Sequence, residues 1–204
     1  MAESDELESL IAQGRKHGVR KRVILLRAAR LFVERGYADT GIDDIGTAAG
    51  ITGPAVYRHF PSKQAILLAL IELSLERLQE GMQAVLADQD REPREALIAL
   101  VDWFAGFSVE NPDLTLVMQS ELPWLPERDR RRLNRQMRRL REEWVGLLIE
   151  VRPELSDLAA RIAVTSVMGM VTSVLAARLS SDAQALSVHL RAQMHAVLQA
   201  SAEQ

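Results

Sequence analysis

The residue types best suited to chemistry sit close together: Thr52, Gly53, Tyr57, Arg58, His59 and Lys63. Hydroxyls, a guanidinium, an imidazole and an ammonium on so short a segment suit phosphate oxygens and base edges. Elsewhere such types are scattered. The histidines are His17, His59, His189 and His195. They offer no metal-ligand spacing, and the last two, six residues apart, do not share a helix face. The absence of cysteine excludes disulfides, thiolate zinc sites and cysteine nucleophiles. There is no His-Glu-x-x-His, no phosphate-cradling glycine loop and no Gly-x-Ser-x-Gly. No catalytic residue, metal or cofactor is therefore expected, and an enzyme built from carboxylates alone is the weakest reading.

Helices must position these side chains. Ile24, Ala28, Leu31 and Phe32 recur at helical spacing from about Lys21, and Gly36 stops that helix. Thr40 reads as the N-cap of a short helix, about Gly41 to Ala49, with Asp43 three residues on. Gly50 makes the turn. Thr52 caps a second short helix, about Gly53 to Phe60, with Pro54 tolerated in its first turn. Gly46 lets the pair approach, and Ile45, Ile51 and Val56 fill the space between. This is the helix-turn-helix pattern, whose second helix enters a major groove. A plain helical hairpin is the rival, but it normally uses longer helices.

Helical periodicity continues to the end. Ser62 caps a long helix carrying Ile66, Leu67, Leu70, Ile71, Leu78, Met82 and Val85. Further helices are expected over about 94–109, from Asn111-Pro112 to Ser120, after Pro126 to about Val151, from Ser156, and from about Asp182. No segment alternates as a strand. The expected fold is all-α with about nine helices: a mobile arm (1–18), a helix-turn-helix domain (19–65) and a larger helical domain (66–204).

Charge separates the two parts. Residues 15–63 hold ten Lys/Arg and four Asp/Glu, or +6, and the other residues total −9 of the net −3. A basic module on an acidic body suggests a polyanion for the module alone. The basic residues Arg15, Lys16, Arg20, Lys21 and Arg22 read equally as a DNA clamp or a solvated tail. The longest uncharged run of the C-terminal half, 162–177, reads as too short and too polar to span a bilayer. The acidic start reads as no presequence, so a soluble cytoplasmic protein is expected.

The stretches Ile24–Tyr37, Thr40–Ile45 and Ala49–Phe60, followed by Ser62-Lys63, closely resemble the N-terminal domain of TetR/AcrR-type transcriptional regulators. The likeness covers about residues 22–70 and is most specific at Tyr57-x-His59-Phe60-x-Ser62-Lys63. It implies a homodimeric repressor with a ligand-binding C-terminal domain and a palindromic double-stranded DNA operator. Thr40 and Thr52 then hold phosphates at helix N-termini, Tyr57, His59 and Lys63 contact the backbone, and Gly53, Pro54, Ala55 and Arg58 read bases. Ile42 stands where some members place a polar contact.

In the body, Trp103, Phe107, Met118, Glu121, Trp124, Trp144 and Met168 mark an expected cavity for a largely apolar effector, against the alternative of ordinary core. Arg128, Arg130, Arg131, Arg132, Arg135, Arg138, Arg139 and Arg141 lie mostly opposite the Leu133-Met137-Leu140-Trp144 stripe. A second nucleic-acid site and a pocket for a ligand's phosphates are possible there, with a solvated face favoured. The helix of about 156–179 is apolar nearly all round and must be buried on most sides. With the last helix it is expected to form the homodimer interface. The expected function is a ligand-responsive DNA-binding regulator, the alternative being a ligand-blind architectural protein.

Overall fold

The computed structural model describes residues 16–88 and 90–199, and within them nine α-helices, one 3₁₀ turn and no strand. The helices are α1 Lys16–Arg35, α2 Ile42–Ala48, α3 Gly53–Tyr57, α4 Lys63–Leu86, α5 Pro93–Glu110, α6 Pro112–Ser120, α7 Glu127–Val151, α8 Asp157–Ala177 and α9 Ala183–Gln199, with the turn at Leu122–Trp124. Residues 1–15 of the expected arm lie outside the described residues. From Lys16 the chain is already helical.

The punctuation follows the chemistry of the backbone. Gly36 and Gly50 have φ of +85° and +67°, where a Cβ would be strained. Ser62 Oγ accepts from Ala65 N at 3.1 Å, and Ser156 Oγ from Ala159 N at 3.2 Å, so both cap as expected. α2 differs. Its N-cap is Gly41, whose N–H donates to Asp44 Oδ2 at 2.8 Å. Thr40 faces inward, buried, and its hydroxyl donates to the Gly36 carbonyl at 2.8 Å.

Two apolar clusters hold the chain. The first joins Ile24, Ala28 and Phe32 of α1, Ile45 of α2 and Val56 of α3 to Ile66, Leu67, Leu70 and Ile71 of α4. It continues through Leu114 and Val117 of α6 to Leu125 and Leu133, so the helix-turn-helix head and the body share a core across residue 65. The second cluster packs Met82, Leu100, Phe104, Trp144, Leu148, Val164, Val171 and Met194 between α4, α5, α7, α8 and α9. Full burial of each such side chain contributes about 1.5–3 kcal/mol.

By length and composition alone, α8 is apolar enough to cross a bilayer, contrary to the expectation from its uncharged run. Val164, Val167 and Val171 pack one side into the body, and Arg161 pairs with Asp157 and Glu142. Its other side exposes Leu158 and Ile162.

Candidate DNA interface and effector cavity

The helix-turn-helix closes as tightly as its glycines require. A Cβ on Gly46 would lie 3.0 Å from backbone atoms of Ile51, Thr52 and Gly53. A Cβ on Gly53 would meet Asp43 Oδ1 at 1.8 Å. The second helix is shorter than expected: α3 ends at Tyr57, and Arg58 is its C-cap. Its outer face presents Thr52, Pro54, Tyr57 and Arg58, with Tyr57 55% exposed. His59 is half-buried at its end.

Four residues expected at the DNA are buried or bonded within the chain itself. Thr40 is turned inward, as above. Gly53 is buried beneath Asp43, and Ala55 is 7% exposed. Both lie on the inner side of a helix too short to offer more than one outward stripe. Lys63 is committed to its own chain. Its Nζ donates to the carbonyls of Tyr37 at 2.7 Å, Ala38 at 3.2 Å and Thr40 at 2.8 Å. An ammonium has three hydrogens. All three serve the loop between α1 and α2, and the charge also sits 4.4 Å from the centre of the Tyr37 ring.

Tyr37 joins head and body. Its ring lies 5.3 Å from Phe32 and 5.5 Å from Trp124, and burial pushes its phenol above the usual tyrosine range. Its backbone N–H points to Glu121 Oε2 at 3.4 Å, and Gln64 Nε2 donates to the Trp124 carbonyl at 3.1 Å. Glu121 is 7% exposed and Trp124 50%. Both were expected around an effector; the 3₁₀ turn between α6 and α7 carries them to the head instead.

The body holds a cavity of about 370 Å³. Trp103, Met118, Trp144 and Met168 line it, as expected, with Leu78 and Met82 of α4 and Leu140 of α7. Phe107 does not line it; it stacks behind Trp103, ring centres 5.4 Å apart. Trp103 covers Gly81, where a Cβ would meet its ring at 2.0 Å. The polar lining includes Thr115, Gln119, Asn134, Arg141 and Thr172, which the aromatic pattern did not signal.

Residues 24–70 match the family model described as bacterial regulatory proteins, tetR family. Over those residues the chain is similar to the tetR family of regulators. The chain is 28% identical over 129 residues to the HTH-type transcriptional regulator EthR of Mycolicibacterium smegmatis, covering 63% of this chain and 54% of EthR. It thus spans about half the length of that relative. It is 27% identical over 176 residues to the nucleoid occlusion factor SlmA of Vibrio campbellii, covering 84% and 89% of the two chains. Among solved structures, a TetR-family transcriptional regulator from Bordetella parapertussis superposes with a TM-score of 0.80 at 24% identity, covering 89% and 95%. That likeness shows the fold. EthR and the Bordetella protein are named as transcriptional regulators. Among the described residues no cluster of His, Asp and Glu could hold a metal.

Proposed function

We propose that this chain is a regulator of the TetR family, a homodimeric, cytoplasmic repressor that leaves its operator when a small molecule fills the cavity. One observation carries the reading: cavity and head share a wall. Met118, Gln119 and Leu122 line the cavity, and Glu121, next to Leu122 in sequence but outside the lining, accepts from the Tyr37 backbone. A ligand that shifts the end of α6 therefore acts on the loop that Lys63 and Tyr37 close. α4 offers a second lever, running from Lys63 beside that loop to Leu78 and Met82 in the cavity.

Thr52, Pro54, Tyr57, Arg58 and His59 form the proposed DNA surface. Tyr57 and His59 hold phosphates, and Arg58 reads a base, for which guanine offers two acceptors. The dimer forms through α8 and α9. Leu158 and Ile162 on α8 and Val188 on α9 are 67%, 58% and 49% exposed in the single chain. Two copies of such faces bury one another, and a dyad sets two recognition helices about 34–36 Å apart, one turn of DNA.

The test has two steps. Duplexes selected from a random pool should show a palindrome. Compounds that raise the protein's melting temperature should then weaken binding to that palindrome, because binding and release are linked. Compounds that stabilise the protein yet leave operator affinity unchanged would overturn the release mechanism. A second reading is a DNA-binding protein that answers to no ligand; one relative is named a nucleoid occlusion factor and not a transcriptional regulator. Absence of any stabilising compound would favour it.

A further inference from the structure

The cavity does not end in an apolar wall. At α7 it shares Asn134, Met137 and Arg141 with a second, surface depression of about 470 Å³ whose other residues are Arg131, Arg135 and Arg138. Residues 131, 134, 135, 138 and 141 fall on one face of α7, at helical spacings of three and four. An apolar chamber therefore abuts a groove bordered by four guanidinium groups.

Those guanidiniums are poorly neutralised. Arg131 pairs with Glu127, both largely exposed. Arg135, Arg138 and Arg141 make no ion pair among the described residues, although carboxylates elsewhere on α7 are paired: Glu142 with Arg161, and Asp129 with Arg132. Arg141 Nε is buried and has no hydrogen-bond acceptor. A buried charged donor without an acceptor is costly, and a ligand oxygen at the junction of chamber and groove would satisfy it. A solvated face explains the exposed arginines Arg128, Arg131, Arg135, Arg138 and Arg139. It does not explain a buried, unsatisfied guanidinium nitrogen beside an apolar chamber.

We propose that the effector is an anionic amphiphile: an acyl chain in the chamber, with a phosphate-bearing head on Arg135, Arg138 and Arg141. This rests on the ligand-responsive reading above and names the ligand class. Guanidiniums suit phosphate because their paired N–H groups match two of its oxygens. The chamber's Trp, Met and Leu side chains suit a flexible chain. Two sources share this chemistry, an acyl nucleotide thioester and a lysophospholipid. The phosphates of the first are several, and the phosphate of the second is one.

Calorimetric titration of the full chain with lauroyl-coenzyme A, lauroyl lysophosphatidic acid, free laurate and coenzyme A tests this. At least one phosphate-bearing acyl compound should bind more tightly than both laurate and coenzyme A; which one does so identifies the source. Arg141→Gln, and the double change Arg135→Gln with Arg138→Gln, should each weaken it roughly 10- to 100-fold, the range for lost hydrogen bonds to charged groups. Laurate binding should change much less in the double variant. Met168→Trp, which fills the chamber, should weaken laurate and the phosphate-bearing compound alike.

Equal affinity for laurate and both phosphate-bearing compounds, or affinities indifferent to the arginines, would overturn the proposal. So would a drop in operator affinity of the ligand-free double variant, which would assign the groove to DNA. Arginine-dependent binding that leaves operator affinity unchanged would keep the ligand class and remove the release mechanism. Release by an uncharged compound, with no phosphate-bearing compound bound, would do the reverse.

Discussion

The Lys63 ammonium lies 2.7 Å from the Tyr37 carbonyl oxygen and 4.4 Å from the centre of the Tyr37 ring, so one charge fixes both the backbone and the side chain of one residue. Lys63→Met should therefore act on stability. Loss of hydrogen bonds from a charged donor to three carbonyls should cost about 1.5–3 kcal/mol or more, read as a lower urea midpoint. The slope of operator affinity against salt should stay unchanged. A fall of about one unit in that slope would instead place Lys63 on a phosphate.

Tyr57 and Arg58 should separate by what they do to sequence preference. Tyr57→Phe should weaken binding to all duplexes alike, as expected of a lost phosphate contact. Arg58→Ala should relax preference at one position of each half-site, with about 1–3 kcal/mol of discrimination lost there. Binding-site selection with wild type and variant makes the comparison, and identical consensus sequences would remove Arg58 from base reading.

Gly46→Ala and Gly53→Ala should differ although a Cβ is crowded at both. At Gly46 the obstacles are backbone atoms at 3.0 Å, which move only by opening the helix pair. About 1–3 kcal/mol should be lost. At Gly53 the obstacle is the carboxylate of Asp43, an exposed side chain that can rotate away. Chemical denaturation of both should rank Gly46→Ala as the more damaging.

Glu121→Leu should uncouple the switch. The Tyr37 backbone N–H loses its acceptor while the cavity lining is kept. Effector affinity should persist, and the difference in effector affinity with and without operator should shrink. An undiminished difference would show that α4 alone carries the coupling.

Ile162→Glu should test the dimer without disturbing the monomer core, because this side chain is 58% exposed. A charge buried without a partner at an interface is strongly unfavourable. Light scattering should report a monomer with unchanged helical content, and specific operator binding should be lost. A dimer of undiminished stability would move the interface elsewhere.

Much of the fold was legible because punctuation is local. Gly36, Gly50, Ser62 and Ser156 end or start helices through their own backbone and hydroxyl chemistry, whatever lies across the core. Thr40 shows the limit. Its residue type fits a cap, yet Gly41 takes that place once the hydroxyl finds the Gly36 carbonyl. Lys63 was legible as a cation near DNA. Its three acceptors come from residues 37–40, which meet it only after α1, α2 and α4 have packed. Neighbourhood in the chain groups Trp124 and Glu121 with the cavity aromatics. The 3₁₀ turn at Leu122–Trp124 decides otherwise, and no periodicity foretells where such a turn points a ring.

The wall shared by cavity and head has a consequence for how the protein can evolve. Met118, Gln119 and Leu122 shape the cavity, while the adjacent Glu121 holds the Tyr37 loop. A substitution that retunes which molecule fits also shifts the resting balance between bound and released DNA. Selectivity and sensitivity are thus inherited together, and a lineage adapting to a new signal along this wall must re-tune its threshold from a distant site.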